Sequence, residues 1–563
     1  MDRSLLVSEF DDMGLTIDDD IIDECVIACH AHKISASDLV GSWIAYCASS
    51  QVDANDLNKE RIITLLKSVK KDDKQKASDK RYNENKSNLN EKVSLQSVNN
   101  EASLKSELGT NNLLIENKIR VSDIIEADNI NEKNVFSAAG DIACDFGRGN
   151  VNKNDLSADV ESMCLLKQDL WKNFIFGQTN YQKYDSHIQE IVADIVKNNN
   201  LKPITPLSEL CSGNDDTEIT ISGSLKLIKK ELFLSSPYGY IKIDLSEVEQ
   251  PMKQLFVNQI LVINGTNPET KVFKARKLYA DASLPLPKKL PEFSQGNINL
   301  MVAAGPFFCE SSPHGNSLKS LIQKTIELDA KLLILLGPIF DADFGTQLNK
   351  TSSDSLQKCY DDVLEAILKP LFSNPSTQNT KVVVFSSWKD ASCYAFYPTP
   401  PNTESRLPNL YPNNVFMVSD PCVLSVNDII IAGNASDTLM DLHVSTINQT
   451  QEETFEKLSK QIIWQRCLHP SYTASPTVPV DQLLWLEHCT LQQNTPHIIL
   501  TSSQLRTFIR VVNDCIVVNI GQLVKHNSQK QAMSGTYGKI QISPPKNGCW
   551  SPQTNISAIV VHI

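Results

Sequence analysis

The hydrophobic pattern changes character several times along the chain. Before about residue 70, Ile21, Ile22, Cys25, Val26 and Cys29 recur at i, i+3, i+4 steps and predict the buried face of an amphipathic helix. Thr16 or Asp18 is placed to cap it. Ser35, with Asp38 three residues on, resembles a capping box ahead of a second helix over Leu39 to Tyr46, and a third is expected through Arg61 to Val69. A helical bundle of residues 1–70 buries little area alone, which suits a partner-docking module better than a catalytic one. Residues 71–165 open with KDDKQKASDKRYNENKSNLNEK and stay rich in Asn, Ser, Lys and Glu, so they cannot offset their ordering entropy and predict a mostly disordered tether. Its apolar islands, Leu113 to Ile115 and Val121 to Ile125, read as weak local helix in preference to partner-binding segments.

After Trp171 globular character returns. From Glu218 the stretches EITISGSLKL, LFLSSPYGYIKIDLS and QILVINGTNPETKVFKARKLY alternate in the manner of strands, broken by Gly, Pro and Asn turns. Short strands of this kind predict a small closed barrel over residues 166–293, and Gln259 to Tyr279 forms a hairpin of the type found in OB folds. Some such barrels bind single strands on aromatic platforms. Here the aromatic signal is thin, and protein docking is the favoured role. The Pro-rich LPLPKKLPEF, Leu284 to Phe293, predicts a stiff linker. From 294 to 563, apolar runs (INLMVAAG, KLLILLG, KVVVFSS, NVFMVSD, DIIIAGN, HIILTS, CIVVNIG) alternate with amphipathic helices. Continuous apolar strands require cover on both faces, hence an α/β sandwich. The fold class is therefore multidomain α+β.

Length and composition narrow this picture only slightly. A chain of 563 residues exceeds one hydrophobic core and divides into several domains. A net charge of −13 argues against coating duplex nucleic acid over a wide surface, so any such contact is local or made through a partner. The 14 cysteines are scattered without a C-x-x-C pair, which predicts reduced thiols and no zinc held by this chain. No run of about 20 apolar residues is available for a membrane span. A soluble protein without cofactor is expected.

In an open α/β sheet, ligands sit at strand ends. Four ends carry a recognisable spacing: AAGPF (Ala303 to Phe307), GPIFD (Gly337 to Asp341), SSWKD (Ser386 to Asp390) and GQLV (Gly521 to Val524). They resemble, in order, the D-x-H, G-D-x-x-D, G-N-H-[DE] and G-H-x-H motifs of calcineurin-like metallophosphoesterases, whose two metal ions activate a water. On that template Gly305 and Phe307 stand at the first Asp and His, and Pro338 at the Asp that bridges both metals. Trp388 and Lys389 replace Asn and His, and Gln522 and Val524 replace the two last histidines. None of these can bind a metal in the required way. Only Asp341 and Asp390 survive as carboxylates, expected to cap helices or anchor loops. His469, His488 and His497 lie in no metal-type spacing and are expected at the surface or satisfied in the core.

Beyond those motifs, LLGPIFDA (Leu335 to Ala342), YPTPP (Tyr397 to Pro401), VSDPCVLSVND (Val418 to Asp428), SSQLRTFIR (Ser502 to Arg510) and VVNIGQLVK (Val517 to Lys525) form an ordered series. With IDLSEVEQ (Ile243 to Gln250) and LPLP (Leu284 to Pro287), they resemble the B subunits of eukaryotic B-family DNA polymerases over residues 165–563, nearest the branch that serves polymerase α–primase. The branch of polymerase ε is the nearest alternative, since it too carries a helical N-terminal module. Ser386, where the family often has proline, is a departure, and the tether does not align. The resemblance implies an OB fold joined to an inactive phosphoesterase-type domain in a noncatalytic nuclear subunit. Its implied partners are the zinc-containing C-terminal domain of the polymerase α catalytic subunit and, within the same complex, primase. The N-terminal module would recruit other replication factors, with little direct DNA binding and no membrane contact. Two competing readings are an active metallophosphoesterase using Asp341 and Asp390, and a single-strand-binding protein acting through the barrel. The Pro-rich loop Tyr394 to Tyr411 is either a cover over the sheet or a contact surface.

Overall fold

The computed structural model describes residues 140–147, 160–162, 181–210 and most of 218–563, together with Arg3, Leu6, Ile22, Asp23, Cys25, Val26 and Leu39 of the N-terminal region. The chain separates into two compact units, Met1–Leu114 and Ile115–Ile563. In the first, the described residues are helical; Leu6, Ile22, Cys25 and Leu39 are buried, and Arg3 pairs with Asp23 at 2.8 Å. The rest of the expected bundle, its third helix and most of the expected tether lie outside the described residues.

The tether as delimited from composition contains ordered structure at two places. Strand β1 (Ile142–Phe146) and strand β2 (Val160–Ser162) each add to the edge of a large sheet. Average polarity conceals them because a strand needs only a few residues once a distant edge supplies its hydrogen bonds. For β1, Ala143, Cys144 and Phe146 also rest on the core between the sheets.

Next comes helix α1 (Tyr181–Asn199), which lays Ile191 and Ile195 against Ile260 and Val262 of the barrel wall. The barrel is closed by β3 (Ile219–Ile228), β4 (Glu231–Ser236), β5 (Gly239–Asp244), β6 (Ile260–Glu269) and β7 (Val272–Tyr279) in the order β3-β4-β5-β7-β6. Only the β5 to β7 pairing is parallel. Alternation along each strand sends Ile221, Leu225, Leu234, Ile241, Ile243, Ile263 and Phe273 inward as one core.

Two sheets form the body beyond the barrel. One has seven strands, with β8 (Ile298–Ala304), β9 (Leu332–Leu336), β10 (Lys381–Phe385) and β11 (Val415–Val418) running parallel at one side. At its other side β19 (Thr536–Ile542) and β20 (Ile556–His562) pair antiparallel, and β1 closes the edge. The second, six-stranded sheet runs in the order β15 (Phe508–Val512), β16 (Cys515–Asn519), β14 (Ile498–Thr501), β13 (Ile429–Asn434), β12 (Cys422–Val426) and β2, and a separate ribbon pairs β17 (Val524–His526) with β18 (Ala532–Ser534). Side chains such as Val302, Ile334, Val383, Ile431, Leu500 and Val518 fill the space between the sheets. Helices α2 (Asn316–Glu327) and α4 (Leu356–Ser373), with α3 (Ala342–Thr351) between them in sequence, cover the outer face of the first sheet. Helices α5 (Thr438–Ser445) and α6 (Thr454–Trp464) cover the second. Every residue of the β9 run LLILL is buried, as two covered faces demand.

Barrel and sandwich meet through buried polar groups. The Gln465 amide accepts from the Ile260 N–H at 2.8 Å and donates to the carbonyls of Ile260 and Ala280 at 3.1 and 3.2 Å. Gln259 donates to Gln461 at 2.8 Å, and Arg466 donates to the Ala282 carbonyl and to Asp194 of α1. Replacing Gln465 with leucine strands one N–H and removes a donor from two carbonyls. The expected cost is about 2–4 kcal/mol, given about 1–3 kcal/mol for each buried group left unpaired. Urea unfolding reads this as a lower midpoint, and hydrogen exchange as loss of protection at Ile260 with strands β8 to β10 little affected.

Candidate functional site

Parallel strands β8, β9 and β10 end side by side, which brings the expected motifs together. Gly305 donates to the Leu336 carbonyl at 2.8 Å, and Gly337 to that of Phe385 at 3.2 Å, so each strand end is stitched to its neighbour. Above them opens a cavity of about 540 Å³ lined in part by Gly305, Pro338, Asp341, Trp388, Lys389 and Gln522. Phe307, Asp390 and Val524 stand apart from it, buried beneath.

Asp341, Asp343 and Asp437 line this cavity, yet the side chains around the strand ends are engaged in packing and backbone hydrogen bonds. A Cβ built on Gly305 would lie 2.0 Å from the Pro338 carbonyl oxygen, so only glycine fits without moving the backbone. Asp341 caps α3, accepting from the Phe344 N–H at 2.7 Å. Asp390 turns inward and accepts from the Ile339 N–H at 2.5 Å and from the Ser392 N–H and hydroxyl at 3.0 and 2.9 Å. It ties the ends of β9 and β10 together. The Lys389 ammonium lies 5.2 Å from the centre of the Trp388 ring, a cation–π contact at the cavity wall. Phe307 and Val524 are buried apolar packing. Among the described residues, no group of three or more His, Cys, Asp or Glu is placed to hold a metal ion.

Two acids not singled out from the sequence belong to this region. Asp437 lines the cavity while capping α5 through the Met440 N–H at 3.0 Å and accepting from the Gln504 N–H at 2.9 Å; burial raises its pKa. Its place before an apolar helix was a legible capping signal. Asp420, fully buried, accepts from the Ala435 N–H at 2.7 Å and the Ser436 hydroxyl at 2.8 Å. Burial pushes its carboxyl up to about 7, partly opposed by those hydrogen bonds. Asp390 is raised to about 6 by the same cause. The histidines are core residues. His469 contacts Asp441 at 3.1 Å, His497 accepts from the Ile430 N–H at 2.9 Å, and burial lowers His488 to about 3 and His497 to about 4.

These shifts carry a sign. A carboxyl raised in the folded state contributes fully below its unfolded value near 4, and that contribution is lost as pH rises through its folded value near 7. Buried neutral histidines act in the opposite direction, so the effect of Asp420 shows in a comparison. Asp420→Asn is expected to gain on the parent protein by about 1.4 kcal/mol per pH unit between pH 4 and 7, measured by urea unfolding at a series of pH values. A pH-independent difference would contradict this. Gly305→Asp, which forces a side chain into the Pro338 carbonyl, is expected to cost at least about 3 kcal/mol in the same assay.

Several known proteins are similar to this chain. Residues 300–510 match the family model of the DNA polymerase alpha/epsilon B subunit, and residues 4–66 match that of the N-terminal region of the DNA polymerase alpha B subunit. The DNA polymerase alpha B subunit of Mus musculus is 26% identical over 395 residues, covering 67% of this chain and 63% of the mouse protein. The Rattus norvegicus protein is 26% identical over 313 residues, 55% of this chain and 50% of its own length. The chain thus spans half to less than two thirds of these relatives. A solved structure of an archaeal phosphodiesterase is 9% identical, covering 47% of this chain and 99% of its own, with a TM-score of 0.22. Its similarity is thus to the DNA polymerase alpha/epsilon B-subunit family, over residues 300–510 and 4–66.

Proposed function

We propose that the protein is a noncatalytic accessory subunit of DNA polymerase α, acting in the nucleus as a scaffold for initiation of DNA replication. The carrying observation is that the match to the B-subunit family coincides with strand ends at which Gly305 and Pro338 occupy the positions a metallophosphoesterase gives to carboxylates. The match over residues 4–66 to the alpha-type N-terminal region favours polymerase α over polymerase ε as the partner. In this reading Gly305, Phe307, Pro338, Trp388, Lys389, Gln522 and Val524 are a degenerate phosphoesterase site. Asp341 and Asp390 serve the backbone.

The rigid joint between barrel and sandwich gives the chain what a scaffold needs: two surfaces held at one angle. We assign to those surfaces the zinc-containing C-terminal domain of the catalytic subunit, with primase held in the same complex. The N-terminal unit would recruit further replication factors.

Co-expression with the catalytic subunit is expected to yield a stoichiometric complex that survives deletion of residues 1–135. Purified protein is expected to show no stoichiometric Mn²⁺ binding by calorimetry and no phosphodiesterase turnover. Turnover abolished by Asp341→Ala would instead establish the metallophosphoesterase reading.

A further inference from the structure

The outer wall of the barrel carries chemistry that the scaffold role does not use. Strand pairing sets Lys226 of β3 opposite Phe233 of β4, and Phe233 opposite Lys242 of β5. These positions alternate with the inward Leu225, Leu234, Ile241 and Ile243, so the three side chains form one outward row across the strands. Beside that row Tyr240 is 71% exposed and meets Phe233 edge to face, with ring centres 5.8 Å apart. The turn from β3 to β4 presents Lys229 and Lys230, both exposed and both in the left-handed region at φ 49° and 64°. Glu231 pairs with Lys242, and Asn258 accepts from Lys226, so part of this charge is answered locally. The turn lysines have no such ion pair in the described structure.

We propose that this face binds single-stranded nucleic acid. Aromatic rings flanked by lysines offer stacking surfaces for bases and counter-charges for phosphates. The second and third strands of a closed five-stranded barrel, with the turn preceding the second, are where OB folds place such contacts. Complementarity with a polyanion favours this occupant over an acidic or apolar protein segment, because Lys226 and Lys242 flank Phe233 and Lys229 and Lys230 stand at the turn of the same hairpin, in a chain whose net charge is −13. The site is local, as a strongly acidic protein requires. It takes a few nucleotides and no duplex, since stacking on Phe233 and Tyr240 needs unpaired bases.

The test uses the full chain and fluorescein-labelled oligomers of deoxythymidine and of uridine at low salt, read by anisotropy. Saturable binding is expected, stronger than for a duplex of equal length, with affinity falling on added salt along a log–log slope of about −2 to −3, as three or four neutralised phosphates imply. Tyr240→Ala is expected to weaken binding about tenfold, and Lys229→Glu combined with Lys230→Glu to weaken it and flatten the salt slope. Circular dichroism checks that these surface variants remain folded. Affinity unchanged in both variants, or equal affinity for duplex, would overturn the proposal. So would a Tyr240→Ala protein that keeps its oligonucleotide affinity but loses the polymerase catalytic subunit, which would make this face a protein interface.

Discussion

The body of this protein depends on an amide side chain that behaves as backbone. Gln465 offers an acceptor and a donor to Ile260, as a neighbouring strand would, and reaches the Ala280 carbonyl as well. It is 4% exposed, so water cannot replace a partner that moves away. Apolar contact tolerates sliding, whereas a buried amide with several partners is satisfied in one arrangement. Arg466 extends the lock to α1, whose apolar face packs on the barrel. Barrel, helix and sandwich are therefore held together by polar groups whose hydrogen bonds are satisfied in this arrangement.

The same economy appears at the strand ends. An open α/β sheet presents a crevice there whether or not chemistry is performed in it. In this chain the crevice is present as a cavity, and at Gly305 the backbone leaves no room for a side chain. The close approach of the Pro338 carbonyl to Gly305 means that no side chain can stand at that strand end unless the main chain moves. Asp341 and Asp390, the carboxylates that remain, are engaged in holding the loops that line the space.

The strands of the sandwich were legible because β8, β9 and β10 are unbroken apolar runs, and the cavity was legible because their ends carry Gly-Pro and Ser-Trp at a recognisable spacing. Strand β1 was not, since its partner is β20, with Ile142 set against Val561. No local window contains that pairing. Asp420 lies within the motif VSDPCVLSVND, but burial is a property of everything packed around it. The basic and aromatic row was missed for a geometric reason: Lys226, Phe233 and Lys242 are separated along the chain and become neighbours only once strand register is fixed. Along the chain the aromatic residues are sparse, whereas across the strands Phe233 and Tyr240 are neighbours.

Strand β1 has a mechanical meaning as well. It is an edge strand, held by β20 alone in its sheet, and its first residues bond at the far end of that neighbour: Gly140 donates to the His562 carbonyl at 2.9 Å and His562 to that of Asp141 at 3.0 Å. Because β1 has one neighbour in its sheet, detaching it breaks its bonds to β20 and leaves the pairing of β19 with β20 intact.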